Sequence, residues 1–325
     1  MLIHDSVYGT QEITDPCVLE IINTPSMQRL KGVNQYGVWN LFNPDYFTSR
    51  FDHCLGVYFL LRKLGASREE QLAGLIHDIG HTAFSHVIDY VFDDQAGQTV
   101  HEKFHHKIVQ DSLIPAILHR HGFAVERIMN EHLFGILERD LPNLCADRVD
   151  YFLRDSLCIG VCTKEEINTI LECLIVHNTE IVFTDAMVAE FMARKFMEMA
   201  PVFWNTPLQS GSYQLMAEII KEGLRKRIIT ADDFFLMDNQ LLEKLKQSGD
   251  PEIVAQLKLF TREHIVESMP EDYTFFTKSK ARYINPSVIH NGSVVTVTDL
   301  VPAFGEEIER FKEKYKKGYY IKIVR

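Results

Sequence analysis

The chain has 325 residues, of which 46% are hydrophobic and 24% are charged, and its formal net charge is −11. These values are ordinary for a globular protein and exclude a chain that is disordered throughout. The negative charge also disfavours a general nucleic-acid or anionic-membrane surface, because both depend on clustered positive charge. A small phosphate ester bound in one local basic pocket is not excluded.

Cysteine usage and the start of the chain indicate the compartment. The six cysteines form no C-x-x-C pair, and the first residues lack the basic stretch and apolar run of a secretory signal. No run of about 18 apolar residues offers a membrane span. We therefore expect free thiols, no membrane insertion and a cytoplasmic location.

Helical periodicity covers most of the chain. The segment Ser67-Arg68-Glu69-Glu70 has the S-x-x-E form of a capping box and precedes apolar residues at helical spacing. Similar patterning predicts further helices over 52–64, 147–157, 186–199 and 213–225.

The pattern changes near residue 275. Asn291-Gly292 lies between β-rich runs at 281–286 and 293–298, and residues 318–324 form a third strand candidate. The sequence therefore predicts a mostly α fold. We expect a helical body over residues 1–270 and a small α+β subdomain over 271–325.

Histidine is concentrated in one part of the chain. Ten of the fourteen histidines lie between residues 53 and 132: His53, His77, His81, His86, His101, His105, His106, His119, His121 and His132. Imidazole and carboxylate groups together suit Fe, Mn, Co or Zn better than Ca or Mg alone. His77 is followed by Asp78, and His81 shares its helix face if the helix continues through Gly80. The cluster predicts a metal site.

Ordered motifs surround this cluster. They are Asp5 to Asp15, Met27-Gln28-Arg29-Leu30, Gln35-Tyr36-Gly37, Ser49 to Val57, His77 to Asp89, His101-Glu102 and Ala146 to Asp155. Together they resemble the HD-domain metal-dependent phosphohydrolases. Among these, they resemble the deoxynucleoside triphosphate (dNTP) triphosphohydrolases, with an HD core over about 48–160. The resemblance implies an HD-domain helical bundle as the body of the fold.

The resemblance also implies roles for individual residues. The implied metal ligands are His53, His77, Asp78 and Asp147. The implied catalytic residues are His101, Asp89 and His81, with Asp89 orienting His101 for proton transfer to the leaving oxygen. The implied substrate contacts are Arg50, His86, Arg148, Tyr151, Asp155 and Gln35.

The same resemblance implies the cofactor and partners. We expect one divalent transition metal (Fe, Mn, Co, Zn or Ni), with Mg accompanying the nucleotide, a small phosphorylated substrate and a homo-oligomer such as a dimer or tetramer. Two positions depart from the family pattern. Thr82-Ala83 replaces Gly-Pro, and Tyr36 replaces a small aliphatic residue that lies beside the sugar. Beyond residue 190, Arg194 and Tyr213 are the candidates for contacts with the terminal phosphate.

Three functions remain open at this point. The leading one is hydrolysis of a dNTP to deoxynucleoside and triphosphate. A nucleotide phosphomonoesterase or phosphodiesterase could use the same metal set, because a fold does not fix its substrate. A non-catalytic protein that senses nucleotides is the third.

Overall fold

The structure is a computed structural model that describes residues 1–94, 100–278 and 280–325, with the backbone but not the side chains of residues 101 and 102. Helices dominate, as the periodicity predicts. The helices of the first half are α1 (Pro16–Ile22), α2 (Pro25–Arg29), α3 (Arg50–Lys63), α4 (Arg68–Ile76), α5 (Val87–Val91), α6 (Val100–Gln110), α7 (Ile114–Arg120), α8 (Val125–Ile128) and α9 (Ala146–Cys158). Those of the second half are α10 (Lys164–Cys173), α11 (Ala186–Met199), α12 (Pro207–Arg225), α13 (Asp238–Gln247), α14 (Pro251–Leu257), α15 (Val297–Leu300) and α16 (Pro302–Lys316).

Short strands complete the described fold in three small sheets. The strands are β1 (Leu2–Asp5), β2 (Gly9–Glu12), β3 (Leu174–His177), β4 (Glu180–Phe183), β5 (Ile265–Glu267), β6 (Phe275–Thr277), β7 (Ser287–His290), β8 (Ser293–Thr296) and β9 (Tyr319–Ile323). The sheets have the orders β1-β2, β3-β4-β7-β8 and β5-β9-β6. Within the described residues, no helix combines the length and apolar character that crossing a bilayer requires.

The C-terminal region differs from its prediction in detail. Asn291 and Gly292 both have positive φ (50° and 79°) and form the expected tight turn between β7 and β8. The strand predicted over 281–286 is wrong, since those residues are irregular and β7 begins only at Ser287. The boundary predicted at residue 270 stays a prediction, but two sheets contain strands from both sides of it, through the pairs β4–β7 and β5–β9.

The capping-box residues at the start of α4 make one expected and one unexpected contact. The Ser67 side chain accepts a hydrogen bond from the Glu70 N–H at 3.1 Å, as a capping box requires. The Glu70 carboxylate does not return the bond to the cap. It accepts the N–H groups of Ile136 and Leu137 instead, at 2.8 and 3.0 Å, and so fastens the chain before α9 to α4.

The helices α3, α4 and α9 form the centre of the larger apolar core. Most residues of α3 are buried, because other elements cover nearly all of its faces. Gly56 on α3 faces α9, and a methyl group at this position would lie 2.0 Å from both Arg154 Nη2 and Asp150 Oδ1. A glycine is therefore required here for α9 to approach α3.

The packing of α3 against α9 can be tested with two glycine substitutions. We expect Gly56→Ala to lower the free energy of unfolding by about 2–4 kcal/mol, because the new methyl group displaces a buried ion pair. Gly305→Ala on α16 is the matched control, since its nearest neighbour would be 3.7 Å away. It should be neutral or stabilise by up to about 1 kcal/mol through helix propensity. Urea unfolding measures both, and equal stability of the two variants would contradict the packing described.

Candidate metal centre

Three helices bring the predicted ligands together. His53 lies in the first turns of α3, His77 and Asp78 directly follow α4, and Asp147 lies in the first turn of α9. The Nε2 atoms of His53 and His77 are 3.3 Å apart, and Asp147 Oδ1 lies 2.9 Å from the first and 3.4 Å from the second. Asp78 joins them through its two oxygens, at 3.5 Å from His53 Nε2 and 3.6 Å from His77 Nε2.

Hydrogen bonds made by their Nδ1 atoms orient the two imidazoles. His77 Nδ1 lies 2.8 Å from the carbonyl oxygen of Gly74, which can only accept, so this nitrogen carries the proton. His53 Nδ1 lies 2.7 Å from Asp150 Oδ2 and donates in the same way. In the neutral rings, both Nε2 lone pairs therefore point toward the same position, which is the arrangement that metal-binding histidines use.

Electrostatics at the centre favour positive charge. Burial alone would lower the pKa of His53 and His77, but the carboxylates around them outweigh it and raise both pKa values. Burial would raise the pKa of Asp78 and Asp147, but Arg50, His77 and His81 hold the pKa of Asp78 well below its usual range, and His53 and His77 do the same for Asp147. The two carboxylates thus stabilise a cation between them, either as a proton on an imidazole or as a metal ion.

These donors fit a divalent transition metal. One ligand atom each from His53, His77 and Asp147 lies within 4.8 Å of the others, close enough to share one ion. Two nitrogen and two oxygen donors match the preference of Fe, Mn, Co, Ni or Zn, and the set does not choose among them. The side chain of Asp147 is 22% exposed while that of His53 is 1% exposed, so solvent reaches the centre at the Asp147 side.

A neighbouring cluster is explained without a metal. Glu138 and Cys145 have ligand atoms close to Asp147. The Arg148 guanidinium supplies the positive charge there, at 3.1 Å from Cys145 Sγ and 3.6 Å from Glu138 Oε1. Its Nη1 also donates to the carbonyl groups of Arg139 and Asn143. Arg148 is therefore engaged by the loop before α9, and the phosphate contact implied for it stays a prediction.

Two of the three implied catalytic side chains, those of His81 and Asp89, lie within the described residues. His77 and His81 would share a helix face only if the helix continued through Gly80. It does not, because α4 ends at Ile76. A turn places His81 Nε2 3.2 Å from Asp78 Oδ1 instead. Asp89 accepts from Nδ1 of His86 at 2.9 Å and from the Val100 N–H at 3.2 Å. The side chain of His101 lies outside the described residues, so its pairing with Asp89 stays a prediction.

The implied substrate contacts are found in three places. Arg50 lies in the centre, where it forms a buried ion pair with Asp78 and donates to Ser85 Oγ at 3.0 Å. Tyr151 packs against Trp204, whose indole N–H donates to Asp155 Oδ2 at 2.6 Å. Burial raises the pKa of Asp155 to about 7. Gln35 is partly exposed, and its backbone N–H is bonded to the Thr48 carbonyl group.

The two candidates beyond residue 190 separate in the structure. Arg194 forms ion pairs with Glu190 and Glu307 and lies over Phe304, so its described partners are on α11 and α16. Its contact with the terminal phosphate stays a prediction. Tyr213 is buried beside Tyr90, with ring centroids 5.6 Å apart, and stays a candidate.

Three groups near the centre were given no role by the sequence motifs. Arg282 is the first. Burial is the main influence on the pKa values of His86, Tyr151 and Tyr213, but the charge of Arg282 also acts on all three. The irregular segment before β7, where a strand was predicted, thus carries a cation whose charge acts on these three residues.

The second group holds the turn after Asp78. Phe84 and Ser85 have φ values of 60° and 50°, a conformation that costs of order 1–3 kcal/mol for such residues. Asp238 stabilises it by accepting the N–H groups of Phe84 and Asn34, at 2.7 and 2.8 Å. Arg29 donates to two carbonyl groups of the same turn. Asp238 lies more than 150 residues from this turn in the chain, so no local motif indicates its role.

The third group is a buried chain of charges behind His53. Asp150 Oδ2 accepts from His53 and from Arg154 Nε at 2.8 Å, and Arg154 Nη2 donates to Asp5 Oδ2 at 2.7 Å. Asp5 Oδ1 in turn accepts two backbone N–H groups of the turn that follows β1. The orientation of His53 therefore depends on the N-terminal hairpin.

Comparison with known proteins identifies the family. The HD domain profile matches residues 50–155, which contain all four ligands. The chain is 36% identical over 329 residues to the uncharacterized protein YdhJ of Bacillus subtilis, covering 100% of both chains. It is 28% identical to the metal-dependent phosphohydrolase cns2 of Cordyceps militaris, covering 96% of this chain and 92% of that one. The chain belongs to the HD-domain metal-dependent phosphohydrolases.

Two further similarities agree with this assignment. The deoxynucleoside triphosphate triphosphohydrolase SAMHD1 homolog of Dictyostelium discoideum is 24% identical, over 79% of this chain and 57% of its own. The crystal structure of a phosphohydrolase from Bacteroides thetaiotaomicron superimposes with a TM-score of 0.73 at 19% identity, covering 100% of both chains. The helical fold predicted from the sequence is confirmed. The prediction that the protein is a hydrolase is also confirmed.

The support of His53 by Asp150 gives a prediction about metal affinity. We expect Asp150→Asn to weaken binding of Mn²⁺ by about 10–100-fold, because the ring loses the acceptor that fixes its tautomer and orientation. Mn²⁺ titration followed by electron paramagnetic resonance measures the Kd, and circular dichroism verifies the fold. Asp140→Asn, an exposed aspartate in the loop before α9, is the control and should leave the Kd within about twofold. An unchanged Kd for Asp150→Asn would show that His53 needs no such support.

Proposed function

We propose that the chain hydrolyses a deoxynucleoside triphosphate to deoxynucleoside and triphosphate. The observation that carries this proposal is the guanidinium of Arg50, which is buried at the centre between Asp78 and Ser85, with the charge of Arg282 acting on His86, Tyr151 and Tyr213. We infer that these two arginines would serve the phosphate groups of the substrate. A polyphosphate needs more positive charge than a single ester, and the planar arginine fork suits phosphate oxygens.

The protein groups divide the chemical work. A divalent metal held by His53, His77, Asp78 and Asp147 would supply Lewis-acid polarisation of a phosphoryl oxygen. Asp89 holds His86 through Nδ1 at 2.9 Å and so orients its ring beside the reacting phosphate. His101, on the following helix, would give a proton to the leaving 5′-oxygen. His81, bonded to Asp78, would keep that carboxylate in position.

The sugar would lie against Tyr151 and Trp204. Their ring centroids are 5.4 Å apart in an edge-to-face arrangement, and Trp204 holds the carboxyl group of Asp155. With its pKa raised to about 7, Asp155 can either accept from or donate to a sugar hydroxyl near neutral pH. Tyr36, which replaces the small residue of the family, is buried with its hydroxyl 2.7 Å from Thr48 Oγ1. It therefore supports the pocket from the core.

A second candidate is a nucleotide phosphomonoesterase or phosphodiesterase. The observation in its favour is that Arg194, one of the two residues expected at the terminal phosphate, is paired with glutamates on α11 and α16. The relative of nearly equal length, cns2, is also named only as a metal-dependent phosphohydrolase. The homo-oligomer and the cytoplasmic location stay predictions.

A nucleotide panel separates the two candidates. The full-length chain would be incubated with Mn²⁺ and with deoxynucleoside and ribonucleoside tri- and monophosphates, and the products separated by ion-exchange chromatography. We expect inorganic triphosphate from dNTPs. Arg282→Gln should lower kcat/KM for the dNTP by about 10–100-fold, the loss of one charge-assisted contact, and change monophosphate hydrolysis less.

Two controls make the panel decisive. Arg310→Gln removes an exposed arginine of α16 and should leave kcat/KM within about twofold. Asp147→Asn should abolish all turnover, which excludes a contaminating phosphatase. Orthophosphate released from monophosphates, with no triphosphate from any dNTP, would overturn the proposal in favour of the phosphomonoesterase.

A further inference from the structure

A second cavity lies away from the metal centre. It has a volume of about 580 Å³ and is lined by the turn after β1, the end of α3 and one face of α10. We call it the α3–α10 cleft. None of the four metal ligands lines it. Arg62, one of its lining residues, follows His53 by nine residues on α3, which is about 14 Å along the helix axis.

The cleft concentrates positive charge in an acidic protein. Its cations are Arg62, Lys63 and Lys164, and among the described residues none of the three has a carboxylate within 4.0 Å. Glu172 is the one acidic residue of the lining, and it is exposed. With a net charge of −11 for the chain, three cations around one concavity create a local field of the opposite sign.

Neutral acceptors hold two of these cations in place. Lys164 Nζ donates to the carbonyl groups of Ser6 and Val7 at 2.6 and 2.5 Å. Arg62 donates to the Glu12 carbonyl group at 2.7 Å and to Gln11 Oε1 at 2.5 Å. These bonds position the side chains without cancelling their charge, as a preorganised anion site requires.

The ends of the helices do not account for this arrangement. Basic residues in the last turn of α3 complement the helix dipole, which would explain Arg62 and Lys63 alone. Lys164 is the first residue of α10, where the dipole favours acidic side chains. The helix dipole therefore does not explain the presence of Lys164 at the same cavity as Arg62 and Lys63. Tyr8 and Phe59 add an apolar wall, with ring centroids 6.2 Å apart.

We propose that the α3–α10 cleft binds a small molecule that carries phosphate groups, at a site separate from the metal centre. Its volume lies within the roughly 300–1,000 Å³ of small-molecule sites. Two or three cations within one cavity match the charge of a di- or triphosphate.

Inorganic triphosphate is the probe for this site. Isothermal titration would use the full-length chain carrying Asp147→Asn, so that phosphate held by a bound metal does not contribute. Lys63→Glu and Asn168→Asp each place negative charge in the cleft at exposed positions without removing a described side-chain bond. Each should raise the Kd for triphosphate by about tenfold at low ionic strength.

A control variant outside the cleft shows whether the effect on the Kd is specific to the cleft. Lys258→Glu makes the same charge change as Lys63→Glu at an exposed lysine outside the cleft and should leave the Kd within about twofold. No binding by the Asp147→Asn chain, or the same Kd in all four proteins, would overturn the proposal. Because the metal centre is disabled in every sample, the result does not depend on the activity proposed above.

Discussion

The structure depends on one arrangement, in which two imidazole nitrogens and two carboxylates meet in a largely buried position. Burying such groups is costly unless positive charge lies between or beside them. Arg50 supplies part of that charge through its ion pair with Asp78. The raised pKa values of both histidines show that the centre favours additional positive charge. A divalent cation satisfies the same demand, so metal binding and the stability of this core are linked.

The surrounding fold keeps this arrangement in place. The Gly74 carbonyl group and Asp150 hold the backs of the two imidazoles, and Gly56 allows α9 to bring Asp150 close to α3. Asp238 holds the turn with positive φ that follows Asp78. The support therefore comes from segments far apart in the chain. The turn after β1 has two roles. One of its carbonyl groups accepts a hydrogen bond from Lys164 at the α3–α10 cleft, and one of its backbone N–H groups donates to the carboxylate of Asp5.

The sequence predicted the parts of the site that depend on local pattern. The helices α3, α9, α11 and α12 follow apolar periodicity, and the ligands His53, His77, Asp78 and Asp147 lie in short motifs that their family shares. The remaining parts depend on contacts between distant residues. Asp238 comes from a segment with no motif of its own, Arg282 was given no role, and Glu70 shows that a capping-box residue can be used by another element. The strand predicted over 281–286 failed because β propensity alone does not create a partner strand.

The central claim is that His53 and His77 bind one metal ion through Nε2, together with Asp78 and Asp147. X-ray absorption spectroscopy of the full-length protein, after elemental analysis, tests this most directly. The account predicts one equivalent of a first-row transition metal, with two imidazole nitrogens at about 2.0–2.2 Å and the remaining ligands oxygen. A protein that retains no metal after reconstitution, or a first shell without imidazole, would contradict it.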